Sequence, residues 1–143
     1  MIRSVGKRDT SPLEEAVARV GDRWTLLVVD ALLDGPRRFS ELAGGVAGIA
    51  PNILSARLRT LERDALVVAE PYSDRPRRFV YELSESGREL AGTLRLLADW
   101  GARRTGADPI RHEACGTALE ARWYCPTCER ALGEDETGEL YYL

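Results

Sequence analysis

At 143 residues, with 44% hydrophobic and 30% charged side chains, the chain has room for one domain with an appendage and the composition of a soluble globular protein. No apolar run approaches the roughly 20 residues a membrane-spanning helix needs, and Met1 to Arg8 lack a signal-peptide core, so a cytoplasmic location is expected. The net charge of −3 argues weakly against a nucleic-acid partner, but it is unevenly spread: residues 35–80 hold eight arginines against five acids, and residues 105–143 three against eight.

Residues 1–10 are polar, mixed in charge and aperiodic, and read as a tail. Ser11 then offers an N-cap, Pro12 suits the first helical position, and Glu14 completes a capping box, with Leu13, Ala16, Val17 and Val20 at helical spacing before Gly21. A second helix is predicted from about Asp22 to Leu33, with Trp24, Leu27, Val28, Ala31 and Leu32 in the 3.6-residue period and Gly35-Pro36 as its stop. A short helix follows from Ser40 to Ala43, and Gly45 to Ala50 form a turn.

The segment Pro51 to Asp64 is a predicted helix with two unlike faces. Ile53, Leu54, Leu58 and Leu61 fall on one side, and Asn52, Ser55, Ala56, Arg59 and Arg63 on the other. By itself this pattern also fits an ordinary amphipathic surface helix. A short helix, a glycine-containing turn and a two-faced helix in that order, however, make a helix-turn-helix. The β-branched run Ala65 to Glu70 and the alternating Arg78 to Leu83 then read as strands around a basic loop, Pro71 to Pro76. A hairpin directly after such a helix is the wing of a winged helix.

Ser84 caps a long predicted helix that ends near Arg104. Leu90, Leu94, Leu97 and Gly101 form one stripe, and Leu96 and Trp100 widen it to a second face. So much apolar circumference calls for more cover than one small domain gives, which points to a dimer interface; burial in the helix's own core is the alternative. Thr105 to Pro109 have linker composition.

The small unit that follows carries all three cysteines and the only histidine. His112-Glu113-Ala114-Cys115 and Cys125-Pro126-Thr127-Cys128 are two ligand-x2-ligand pairs, and together His112, Cys115, Cys125 and Cys128 make a Cys3His set suited to structural zinc. Four protein ligands leave no position for substrate, so the expected role is structural. The nine residues between the pairs are fewer than in common zinc ribbons. Metal-free cysteines packing as small hydrophobes, or redox exchange at Cys125 and Cys128, are the alternatives. An acidic stretch, Gly133 to Leu143, ends the chain.

Four blocks together resemble the HxlR-type winged helix-turn-helix regulators: Gly21 to Leu27, Gly35 to Leu42, Ile53 to Glu62 and Tyr81 to Leu90. The resemblance covers residues 11 to about 104. It implies a homodimeric DNA-binding transcriptional regulator whose dimer is built from the terminal helices. Many members have Cys-Pro where this chain has Ser11-Pro12, and in some that cysteine senses oxidants or electrophiles. A hydroxyl cannot form the thiolate such sensing requires, so any small-molecule inducer must act another way.

The expected fold is mainly α with a small β-hairpin: a winged helix-turn-helix with a long C-terminal dimerisation helix (11–104) and a zinc-knuckle-like appendage (105–143). In the major groove, Asn52 and Arg59 are the natural base readers, with Ser55 between them. Arg57 sits at the edge of the apolar face, as a phosphate clamp or an intramolecular partner. Arg37 and Arg38 are expected on phosphate, and Arg75, Arg77 and Arg78 at the wing, on phosphate, in the adjacent minor groove or simply solvated. A homodimer would bind an inverted-repeat operator in double-stranded DNA. Nothing suggests an enzyme: the one histidine is already assigned, and there is no phosphate-binding loop or nucleophile triad. The competing function is a protein-interaction module built on the winged-helix scaffold and acidic tail.

Overall fold

In the computed structural model, residues 10–133, 135 and 136 are described; the predicted N-terminal tail and most of the acidic end lie outside them. The element order is α1 (Pro12–Val20), α2 (Arg23–Leu33), β1 (Arg37–Arg38), α3 (Phe39–Gly45), α4 (Pro51–Arg63), β2 (Val67–Asp74), β3 (Arg77–Leu83), α5 (Glu85–Arg88), α6 (Leu90–Thr105), β4 (Tyr124–Cys125) and β5 (Arg130–Ala131). Two compact units divide within α6, after Leu94. No helix among the described residues is long and apolar enough to cross a membrane.

The first unit is organised around α2 and α4. From α2 come the buried Val28, Val29 and Leu32, and from α4 Leu54, Leu58 and Leu61; Leu42, Val46, Ile49, Val67, Leu83 and Leu94 complete the core. Truncating a leucine buried this deeply removes roughly 2–5 kcal/mol. The buried stripe of α2 is not quite the one its periodicity suggests. Leu27 is exposed, and Thr25 is buried in its place.

Thr25 is tolerated there because Asp22, the N-cap of α2, bonds it. The Asp22 carboxylate accepts from the N–H groups of Trp24 and Thr25, both at 3.1 Å, and from the Thr25 hydroxyl. The same carboxylate lies 3.6 Å from Nε of Arg57 on α4. That separation is beyond hydrogen-bond length, and the buried Nε has no hydrogen-bond partner among the described residues, so the attraction is coulombic. Burial pushes the Asp22 carboxyl up, but the Thr25 hydroxyl and N–H, the Arg57 charge and the Trp24 N–H outweigh it and hold the group below the usual aspartate value.

The end of α4 is equally well defined. Leu66 N–H bonds to Leu61 O (2.9 Å) and Ala65 N–H to Glu62 O (3.0 Å), the pair of bonds of a Schellman motif. Ala65 occupies its left-handed position at φ 57°. At the same end of the β2–β3 pair, Ser84 Oγ donates to Ala65 O (2.7 Å) and accepts from Gly87 N–H (3.1 Å), tying the start of α5 to this turn. Gly87 is buried against the same turn: a Cβ there would stand 2.2 Å from Leu66 O, so no larger residue fits. The long helix expected from Ser84 is split, with α5 ending at a cap on Glu89 before α6 begins.

The sheet differs from a simple hairpin in two ways. β1 pairs antiparallel with β3, Arg37 opposite Tyr81 and Arg38 opposite Val80, giving three strands in the order β1-β3-β2. And β2 runs on to Asp74 through Pro71, where a loop is expected from the prolines. Pro71 lacks an N–H, which an edge strand can accommodate, and the register slips between Pro71 and Ser73, leaving Tyr72 without a partner. The wing tip is therefore only Arg75-Pro76, joined by a cis peptide.

Described by itself, the unit from Arg95 onward holds the second half of α6 and two small hairpins, and none of its described residues is buried.

Two outcomes follow from the α2–α4 junction and the Schellman turn. Asp22→Asn keeps a capping acceptor but loses the charge facing Arg57. Because the native carboxyl is lowered, its charge contributes stability above the unfolded aspartate pKa of about 4, and this is lost as pH falls through the folded value. Wild type should thus out-stabilise D22N at neutral pH in urea unfolding, with the gap closing in acid; a gap that is constant or widens there would refute the role of the charge. Ala65→Gly should raise stability by roughly 0.5–1 kcal/mol, since glycine has no steric cost at positive φ but gains entropy when unfolded. Thermal melts of the two proteins check the sign.

Candidate nucleic-acid interface

Pro51 opens α4 and leaves Asn52 exposed in its first turn; Arg59 is exposed two turns on, and Ser55, between them, is half-buried. The buried Leu54, Leu58 and Leu61 alternate with these positions around the helix, so packing of one side sets the presentation of the other. The turn before α4 is held by Val46 and Ile49, both buried, with Gly48 at φ +77° between them. A side chain at that φ would be strained.

The arginines divide by what they touch. Of those on β1, α4 and the wing, three have carboxylates near them. Arg57 faces Asp22, Arg63 lies 3.5 Å from Asp64, and Arg37 lies 3.6 Å from Asp34 while its Nε donates to Ala31 O at 2.8 Å. Arg57 thus has an intramolecular carboxylate beside it, and Arg37 closes the C-terminal end of α2. Arg38, Arg59, Arg75, Arg77 and Arg78 are exposed and, among the described residues, have no carboxylate within ion-pair distance. Arg38 lies over the ring of Tyr72 (4.7 Å) and Arg77 over Phe79 (5.4 Å). Stacking restrains these guanidiniums without neutralising them.

Periodicity alone does not single out Asp22 or Tyr72. An acid directly before the α2 pattern is a legible N-cap signal for Asp22. Tyr72 has no such signal, because Arg38 is distant from it in sequence and meets it only through the fold.

In the second unit, each predicted ligand pair sits on its own tight turn. His112 N–H bonds to Thr117 O (2.8 Å) and Leu119 N–H to Ile110 O (2.8 Å), while Gly116 N–H returns to His112 O (2.7 Å) with Gly116 at φ +71°. His112 Nδ1 lies 3.3 Å from Cys115 Sγ. The hydroxyl and N–H of Thr117 bond to Cys115 and lower its thiol pKa. Around the other pair, β4 and β5 form a two-stranded ladder, extended by a bond from Leu132 N–H to Trp123 O (2.7 Å), and Glu129 adopts φ +53°. Cys125 receives hydrogen bonds from the N–H and thiol of Cys128 and the N–H of Thr127, which lower it. Arg130 bonds both carboxylate oxygens of Glu136, pulling that acid down to about 2. Among the described residues, no three of His, Cys, Asp and Glu are gathered around one point, so the two pairs stand as separate knuckles.

The geometry of the first unit has close counterparts. Against an HxlR-like helix-turn-helix family model, the chain matches over residues 19–108. An uncharacterized HTH-type transcriptional regulator of Mycobacterium tuberculosis is 40% identical over 118 residues, spanning 79% of this chain and 74% of that one. The crystal structure of YtcD, an HTH-type regulator of that name being known from Bacillus subtilis, superposes with a TM-score of 0.63 at 34% identity, covering 67% of this chain and 98% of the other. A proposed transcription factor from Pseudomonas aeruginosa, 27% identical with a TM-score of 0.67, covers 88% of each chain and so extends beyond the residues matched by the family model. Sequence match, helix-turn-helix and wing agree: the chain belongs to the HxlR-like helix-turn-helix family of transcriptional regulators.

Proposed function

We propose that this regulator acts as a homodimer on an inverted-repeat operator, with α4 in the major groove and the β2–β3 wing beside it. One observation carries the DNA-binding part. The arginines of α4, the wing and β1 that lack carboxylate partners, Arg38, Arg59, Arg75, Arg77 and Arg78, are the ones that a helix-turn-helix would turn to DNA. Asn52 and Arg59 read bases, and Ser55 contacts a base or a phosphate between them. Arg38, Arg75, Arg77 and Arg78 neutralise phosphates or enter the adjacent minor groove. Arg57 and Arg37 serve chiefly to hold α4 and the end of α2 in place.

The homodimer reading rests on apolar side chains left uncovered on the terminal helices. On α1, Leu13 is 71% and Val17 56% exposed, and the helix buries no residue at all. On α6, Leu94 is buried, whereas Leu96, Leu97 and Trp100 are about half exposed. Each helix is thus amphipathic in the sense that asks for a partner. Thiol sensing at position 11 is excluded, because Ser11 supplies a hydroxyl acceptor to the N–H of Glu14 and no thiol, so any inducer acts another way.

Band shifts against DNA from the protein's own promoter region, over a series of salt concentrations, test the DNA reading. Affinity should be sequence-selective and fall steeply with salt. Arg59→Ala should cost roughly 1–3 kcal/mol and relax preference at one base pair, whereas Arg77→Ala should weaken specific and random DNA alike. Equal losses on both DNAs for R59A would remove Arg59 from the readers. For the dimer, light scattering of the Trp100→Glu protein should give the mass of a single chain where wild type gives twice that; a dimeric variant would move the interface elsewhere.

A further inference from the structure

We infer that His112, Cys115, Cys125 and Cys128 of one chain bind a single structural zinc ion that folds the C-terminal unit. The first argument is backbone geometry. Both pairs have the form ligand-x2-ligand on a tight turn, and in both the residue after the second ligand is left-handed: Gly116 at φ +71° and Glu129 at φ +53°. Two turns with unrelated sequences adopt the same bend, and at Glu129 the chain does so without the help of glycine.

The second argument is distance. Ligand atoms bonded to one tetrahedral zinc at about 2.0–2.1 Å for nitrogen and 2.3 Å for sulfur are roughly 3.5 Å apart. His112 Nδ1 and Cys115 Sγ, at 3.3 Å, need almost no adjustment to share an ion.

The third argument is energetic. None of the described residues from Arg95 on is buried, and Leu119, Trp123 and Tyr124 are more than half exposed. A unit of this size without a core requires a staple. The unpaired thiols are not joined as a disulfide. Among the described residues the two knuckles do not converge on one point; one ion bonded to both supplies the missing cross-link by drawing the second pair to the first. On binding, the three cysteines release three protons and coordinate as thiolates, the imidazole coordinates as the neutral base, and four ligands close the sphere. The site is therefore structural, with no open position for substrate.

The test is metal analysis of the full chain, purified without chelator and with any affinity tag removed. One zinc per chain is expected. It should be lost in Cys115→Ser, Cys125→Ser and His112→Ala but retained in His112→Cys, which replaces one good zinc ligand by another. Far-UV circular dichroism should show that the helices persist in every variant, so that lost metal is not lost fold. Cobalt in place of zinc should give the visible absorption of a tetrahedral thiolate site. Chelation of the wild-type protein should expose the segment after Thr105 to protease while residues 11–94 stay protected. Absence of zinc, half a zinc per chain, or zinc retained in C115S or C125S would overturn the assignment.

Discussion

Everything that presents α4 depends on its apolar side being buried against α2. Leu54, Leu58 and Leu61 are almost wholly removed from water, as are Val28, Val29 and Leu32 opposite them. Burial of each such side chain stabilises by roughly 1.5–3 kcal/mol, so rotation of α4 about its axis would expose several at once. The position of Asn52, Ser55 and Arg59 is thus a by-product of core packing, as the 3.6-residue period requires. The Asp22 carboxylate adds a polar constraint to the apolar one: it caps α2, satisfies the buried Thr25 hydroxyl and faces Arg57. Desolvation works against that charge, but three hydrogen bonds and a neighbouring guanidinium outweigh it.

The same economy of contacts sorts the basic residues. A guanidinium with a carboxylate beside it has part of its field cancelled; one stacked on an aromatic ring keeps its charge and loses only freedom. Arg38 over Tyr72 and Arg77 over Phe79 belong to the second kind. The first of these falls at the strand irregularity, where Tyr72 has no partner in the ladder.

Past α6 the physics changes. The first unit is held by a contiguous hydrophobic core, while the second has local backbone hydrogen bonds, an Arg130–Glu136 pair and exposed aromatics. Local hydrogen bonds on the surface contribute little net stability, because water competes for them. That contrast, rather than the count of cysteines, is the energetic ground for the ion proposed above.

Much was legible in the residues. The capping box at Ser11 and Glu14, the spans of α1, α2 and α4, and the wing strands follow from signals that act within one turn or one strand: a cap, a proline at the first helical position, a period of 3.6 or of two. The family could be recognised from four short blocks for the same reason. What the residues did not disclose depended on partners distant in the chain. Two arginines at 37 and 38 become a strand only because β3 lies alongside; Pro71 stays in a strand only because β2 is an edge; the helix expected from Ser84 breaks at Glu89, two residues after Gly87 presses against Leu66. Thr25 rather than Leu27 is buried, and Arg57 rather than Arg59 is paired, for a like reason. Local periodicity and capping determined which helices and strands form, since their interactions close within a few residues. Tertiary structure alone decided which arginines remain available and where the strands end, since neither the distance to a carboxylate nor the position of a sheet edge can be read from neighbours in sequence.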